Sequence, residues 1–322
     1  MRALYLDKTL TLREDYPAPI PPPGEALVRV RLAGVCNTDL ELARGYLSFR
    51  GVPGHEFVGE VVRCESAPEW IGQRVVGEIN AACGACEACR ANRPTHCPHR
   101  TTLGIAGRDG AFAEYLCLPV VNLHRVPDSV SDETAVFAEP LAAACEITQA
   151  VHIRPTDRVV VLGDGKLGLL CAQVLQLTGC DLLVIGHHLE SLGILAQRGI
   201  RTTHDLTGPL ARDLSGLYDI VVEATGTPEG FAMARQLVRP RGTMVLKSTY
   251  HGAVEANLTL VVVDEVSLVG SRCGPFEPAL RLLEQKLVQV TPLIQARYSL
   301  AEGLAAFERA GQRGTLKVLI EF

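Results

Sequence analysis

The hexapeptide Gly163-Asp164-Gly165-Lys166-Leu167-Gly168 limits what this chain can fold into more than any other stretch. It follows the apolar run RVVVL and opens the helix-like run KLGLLCAQVLQLTG, so a buried strand feeds a helix through a glycine-rich turn. In the pattern G-x-G-x-x-G the first glycine permits the tight turn. The second lets the backbone approach a pyrophosphate, and the third lets helix and strand pack closely. The helix N-terminus then presents free N–H groups to the phosphates. Alone, the pattern is only a glycine-rich turn. Here further strand and helix segments follow in alternation: DLLVIG, ESLGILAQRG, YDIVVEATG, FAMARQLVRP, GTMVLKS and VSLVGS. Such alternation specifies a parallel sheet with right-handed crossovers, and in that setting the pattern reads as a dinucleotide site.

The contacts of that site are expected at Gly163, Gly165, Lys166, Leu167 and Gly168 and at the ends of later strands: Thr225, Gly226, Lys247, Ser248, Thr249, and Arg272 after the last. An NAD site usually carries an acid about 20 residues beyond the fingerprint, bonded to the adenosine ribose. Here the second strand ends at Gly186, followed by His187 and His188. Without the acid nothing repels a 2′-phosphate, the glycine opens space, and the histidines are candidate donors. The expected cofactor is therefore NAD or NADP, with a lean to NADP.

Upstream, to about residue 135, the pattern is different. LTLRED, ALVRVRLAGV, FVGEVVRC, QRVVGE and AEYLCLPV are short strand-like runs punctuated by Gly and Pro. PAPIPPPGE reads as a stiff surface connection. After the parallel-sheet region come two helical stretches, PFEPALRLLEQK and SLAEGLAAFERAG, and a last strand, TLKVLIEF. With 322 residues, 47% of them hydrophobic, the chain can build two cores. The net charge of −5, with signs interspersed, excludes general attraction to nucleic acid or to an anionic membrane. No basic-then-apolar leader and no apolar run of roughly 20 residues is present, so a soluble, cytoplasmic protein is expected.

Eleven cysteines, an odd number in a chain this long, do not make a disulfide framework. Four of them, Cys83, Cys86, Cys89 and Cys97, fall in a C-x2-C-x2-C-x7-C spacing on a glycine-containing loop. That is a closed tetrahedral zinc set; iron–sulfur clusters use four cysteines too, and zinc is preferred on a surface lobe of a hydride-transfer enzyme. Six others, Cys64, Cys117, Cys145, Cys171, Cys180 and Cys273, read as small apolar core residues. A second donor set is scattered: Cys36 in GVCNTDL, His55-Glu56 in PGHEFVGE and Glu139 in FAEPLA. Cys, His and a carboxylate with one open position make a catalytic zinc site, although each segment by itself is weak.

GVCNTDL, PGHEFVGEVV, CGACEACRANRPTHC, FAEPLA, VLGDGKLG, VVEATGTPEGF and KVLIEF, in this order and spacing, resemble the zinc-containing medium-chain dehydrogenase/reductase family along essentially the whole chain. The pattern is similar to the branch of sorbitol, threonine and glucose dehydrogenases, because Glu139-Pro140 stands where liver-type alcohol dehydrogenases have a cysteine. The resemblance implies an α/β protein in two parts. A GroES-like β-barrel catalytic domain would comprise 1–139 and 272–322, a doubly wound Rossmann domain 140–271, with the active site in the cleft between them. It implies Cys36 and His55 as ligands of a catalytic zinc, with Glu56 or Glu139 as the carboxylate, direct or through water. It implies Thr38 as the proton-relay hydroxyl, Asp39 as the acid beside it, and Glu41 where the family often ends its relay in histidine. The activity implied is hydride transfer between a small secondary alcohol, polyol or sugar and NAD(P), in a homo-oligomer, dimer or tetramer. The competing functions are a zinc-free alkene or quinone reductase of the same superfamily and a non-catalytic cofactor-binding sensor.

Overall fold

The computed structural model describes residues 1–204, 213–250 and 253–322. It divides into two compact units, Met1–Glu139 with Phe276–Phe322, and Pro140–Pro275. No helix among the described residues is long and apolar enough to cross a membrane.

Among its described residues the unit Pro140–Pro275 has six strands, all paired in parallel: Arg158–Leu162, Asp181–Gly186, Arg201–His204, Tyr218–Glu223, Val238–Leu246 and Ser267–Gly270. Numbered along the chain they lie in the order 3-2-1-4-5-6, the doubly wound arrangement whose order reverses between the first and fourth strands. The continuous apolar runs follow from that placement. Val159, Val160, Val161 and Leu162 are buried on both faces, as parallel strands covered by helices are. Helix Lys166–Gln176 packs behind the first strand through Leu169, Leu170, Val174 and Leu175. Helix Pro228–Leu237 starts with Thr227, whose hydroxyl accepts the N–H of Gly230 at 3.0 Å, and proline occupies its first turn. Residues 272–275 go with this unit: Gly274 lies so close to helix Ala138–Ala150 that a Cβ on it would fall 1.9 Å from the Ala142 carbonyl oxygen.

In the other unit, strand Glu25–Gly34 is the hub. One side of it pairs with Glu56–Arg63. On the other side its beginning pairs with Tyr115–Pro119 and its end with Lys317–Glu321, close to the chain terminus. Arg74–Gly77 and Leu123–Arg125 extend the sheet at one side, and Ile294–Ser299 adds in parallel to the last strand. Both chain ends therefore build this unit. A register shift between Val30 and Leu32 bends the hub strand, and Ala26, Val28, Val30, Leu32 and Ala33 are buried along it.

Candidate functional site

Three constellations carry the predicted chemistry, the first two in the unit of the chain ends. The lobe between strands Asn80–Ala81 and Thr101–Leu103 brings the four cysteines together. Cys97 Sγ is 3.5 Å from Cys83 Sγ and 3.7 Å from Cys86 Sγ; Cys86 and Cys89 are 3.5 Å apart, Cys83 and Cys89 4.0 Å. A tetrahedron of zinc–sulfur bonds of ~2.3 Å has edges of about 3.8 Å, so the sulfurs already stand at zinc spacing. The backbone N–H groups of Ala85 and Cys86 hold the Cys83 thiol down to about 6, which favours the thiolate that a metal requires. The set is complete without an open position, the arrangement of a metal site that holds a loop and not of one that reacts.

Ligand atoms of Cys36, His55 and Glu56 lie within 4.8 Å of one another. Cys36 precedes helix Asn37–Ala43, and His55-Glu56 leads into strand Glu56–Arg63. Asp39, fully buried, joins the two segments. One of its oxygens accepts the Cys36 N–H at 2.8 Å; the other accepts the Gly54 N–H at 3.2 Å and lies 3.2 Å from His55 Nδ1, an ion-pair distance without hydrogen-bond alignment. Burial opposes charge on the His55 ring, but Asp39 and Cys36 outweigh it and raise its pKa well above 6.5. A soft thiol, an imidazole oriented by a carboxylate and a carboxyl group together suit a zinc ion.

Lys317, from the last strand, reaches into this site and pairs with Glu56 Oε2, both groups being buried. Burial opposes the lysine's charge, and Glu56, Cys36 and Glu139 raise its pKa in spite of it. Gly34 makes room: a Cβ there would fall 2.6 Å from Glu56 Oε2. Sequence reasoning missed Lys317. The available signal was a charge inside the apolar run LKVLIEF, with Val318, Leu319 and Ile320 all buried beside it. Glu139 stands half-buried in the first turn of helix Ala138–Ala150 and is not part of the close group of three. Thr38 Oγ1 lies 3.9 Å from Cys36 Sγ, and Glu41, one turn further along the helix, is paired with Arg44 at 2.6 Å.

The third constellation lies in the parallel-sheet unit. Gly163 has φ +113°, and a Cβ on Gly168 would fall 2.1 Å from the Gly163 carbonyl oxygen, so turn and helix pack backbone to backbone. Gly165 caps helix Lys166–Gln176 with open space over its Cα, and Lys166 and Leu167 follow half-buried in the first turn. Gly186 departs from expectation. It does not open space, because Asp164 of the fingerprint fills the volume above it. Asp164 Oδ2 accepts the N–H groups of His187 and His188, and His188 Nδ1 is 3.1 Å from Oδ1. The two histidines are thus turned, through their backbone donors, to an acid of the chain itself.

The later strand ends are also engaged internally. Thr225 and Gly226 donate their N–H groups to the fully buried Glu223, which also takes the hydroxyls of Thr225 and Tyr250. Lys247 Nζ donates to the Ala143 carbonyl at 2.6 Å and to Ser271 Oγ at 3.2 Å. Ser248 lies against Gly226, Thr249 is exposed, and exposed Arg272 has Nη1 3.5 Å from Cys273 Sγ. Cys64, Cys145 and Cys171 are buried as small core residues, whereas Cys117, Cys180 and Cys273 are only partly covered.

Residues 22–128 match the family model of the alcohol dehydrogenase GroES-like domain, and residues 167–285 that of the zinc-binding dehydrogenase. The chain is 33% identical to L-threonine 3-dehydrogenase of Chelativorans sp. (strain BNC1), covering 96% of this chain and 94% of that protein. It is 28% identical to sorbitol dehydrogenase of Halalkalibacterium halodurans, covering 95% and 94%. Among solved structures it is similar to a zinc-binding dehydrogenase of Sinorhizobium meliloti 1021 bound to NADP, with a TM-score of 0.90 and 27% identity over 100% of this chain and 99% of that one.

Proposed function

Because the chain belongs to the zinc-containing medium-chain dehydrogenase family, we propose that it is a zinc-dependent oxidoreductase transferring hydride between the carbinol carbon of a small secondary alcohol, polyol or sugar and NAD or NADP. The observation that carries the proposal is the meeting of Cys36, His55 and Glu56 within 4.8 Å, tied together by buried Asp39. The chemistry supplied by bound zinc is Lewis-acid polarisation of the alcohol oxygen, and that supplied by the nicotinamide is hydride acceptance.

The chain's own residues do the rest. Asp39 holds the loop carrying Cys36 and the loop carrying His55 together before any metal binds. Cys36 and His55 hold the metal, with a carboxylate from Glu56 or Glu139. Lys317 pairs with Glu56 and balances its charge in a buried site. Thr38, beside Cys36, takes the alcohol proton outward. Glu41, held by Arg44, stands one turn further along that helix, at the place where the family often ends its relay in histidine. One premise of the lean to NADP, open space at Gly186, is absent, because Asp164 fills that volume. The reading includes a cytoplasmic setting, where the thiols of both metal sites stay reduced, and a homo-oligomer.

The test is a panel of alcohols and polyols assayed with both cofactors, alongside a zinc count. We expect two zinc ions per chain and turnover with at least one polyol or secondary alcohol. His55→Ala should abolish turnover, remove one zinc and leave nucleotide binding intact. Full activity in that variant overturns the metal mechanism. Turnover of alkenes or quinones without zinc marks the zinc-free reductase, and nucleotide binding without turnover of any class marks the sensor.

A further inference from the structure

We infer that Asp164 is the residue by which this chain discriminates against a 2′-phosphate, so that its dinucleotide is NAD; the inference rests on the dinucleotide reading above and narrows it. In doubly wound folds the end of the second strand faces the adenosine ribose, and an acid there bonds the ribose hydroxyl. This chain ends that strand in Gly186. A Cβ built on Gly186 would fall 2.5 Å from both Cβ and Cγ of Asp164 and 2.6 Å from its Oδ2. The carboxyl group of Asp164 therefore fills the space that a side chain at 186 would take. An acid in the turn and any side chain on the strand exclude each other, which accounts for glycine at 186. The acid is present in space although it is missing from its usual place in the sequence.

Its hydrogen bonds set its effect. Asp164 is only 5% exposed. Its Oδ2 accepts the N–H of His187 at 2.9 Å and the N–H of His188, and the His188 ring nitrogen Nδ1 stands 3.1 Å from Oδ1. These three donors are the ones that would otherwise suit a phosphate at this strand end. A 2′-phosphate would have to displace a buried carboxylate from them while bringing its own negative charge against it. A ribose hydroxyl brings no charge against the carboxylate, and Oδ1, whose one contact is the His188 Nδ1 that it shares with Oδ2 at 3.1 and 3.2 Å, keeps an acceptor site for it.

The experiment is calorimetric titration of the intact, zinc-loaded protein with NADH and with NADPH. Wild type should bind NADH at least tenfold more tightly. Asp164→Asn and Asp164→Gly should each narrow that ratio at least tenfold, mainly by tightening NADPH. The double change Asp164→Gly with Gly186→Asp returns the acid to the strand and should restore the preference for NADH. Wild-type protein that binds NADPH as tightly as NADH overturns the inference, and so does a ratio unchanged in both single variants or an equal loss of both nucleotides. If the single variants do not fold, the wild-type ratio decides. Failure to bind either nucleotide overturns the functional reading itself, which is distinguishable from binding with the wrong preference.

Discussion

At the residue scale, Lys317 and Glu56 form a buried ion pair in the unit built from the chain ends. Both groups are buried, so removing one partner leaves an uncompensated buried charge, which costs about 3–5 kcal/mol. Lys317→Met should lower the midpoint of thermal unfolding by roughly 10 °C in a unit of this size. Adding Glu56→Gln to it should recover most of that loss, since the penalty comes from the orphaned charge. Scanning calorimetry of wild type, both single variants and the double variant checks the cycle, and additive losses would show that the pair does not act as a unit. Asp164 gives the same lesson from the other unit. Its identity as a fingerprint residue was plain in the sequence, but its side-chain position above Gly186 was not.

At the scale of elements, the cysteine lobe and the starts of the parallel strands are each held by a few bonds. The lobe helix Glu87–Arg90 has no buried residue, so the loop has little apolar packing to fall back on. Cys89→Ser should therefore release one zinc per chain and lower thermal stability, as metal analysis and an unfolding curve will show; unchanged zinc content would refute the structural role. Asp219 ties three strands: its oxygens accept the Arg158 N–H at 2.8 Å and Arg239 Nε at 2.7 Å. Burial alone would raise its pKa, but those bonds prevail and hold it below 3.8. A depressed carboxylate pKa means a stabilisation that is complete above the unfolded value of 3.8 and is lost as pH falls through the lower folded value. Asp219→Asn should thus cost about 1 kcal/mol near neutral pH, discounted for partial exposure. The gap from wild type should close below pH 3.8, measured by denaturant unfolding at several pH values. A constant gap across that range would mean that the charge is not what matters.

At the scale of the molecule, strand Ser267–Gly270 ends the parallel sheet at its outer edge among the described residues. Leu268 on it and Leu258, Val262 and Val263 on the helix before it are exposed, Val262 to 75%. Apolar side chains beside a strand edge suit pairing with a second copy about a two-fold axis. On the homo-oligomer reading, light scattering should give at least a dimer, and Leu268→Lys with Val262→Asp should shift it to monomer. A monomeric wild type at micromolar concentration would rule that reading out.

The sequence by itself determined the parallel-sheet unit, the strand-rich remainder, the cysteine lobe and the glycine fingerprint. These are legible because they are local: strand and helix periods repeat within a dozen residues, and the four cysteines lie within one loop. It also supplied Cys36 and His55 as candidates, although only their shared company made them persuasive. What the tertiary structure alone decided is which distant groups meet. Glu56 and Lys317 are 261 positions apart and pair only because the last strand closes on the hub strand. Asp39 reaches His55 across two loops, and Glu139 stays outside the close group that contains Glu56. Asp164 covers Gly186 because parallel pairing sets Leu162, two residues before it, opposite Ile185. Side-chain volume and charge compete for the same space only after the chain has folded, and one-dimensional spacing carries no record of that competition.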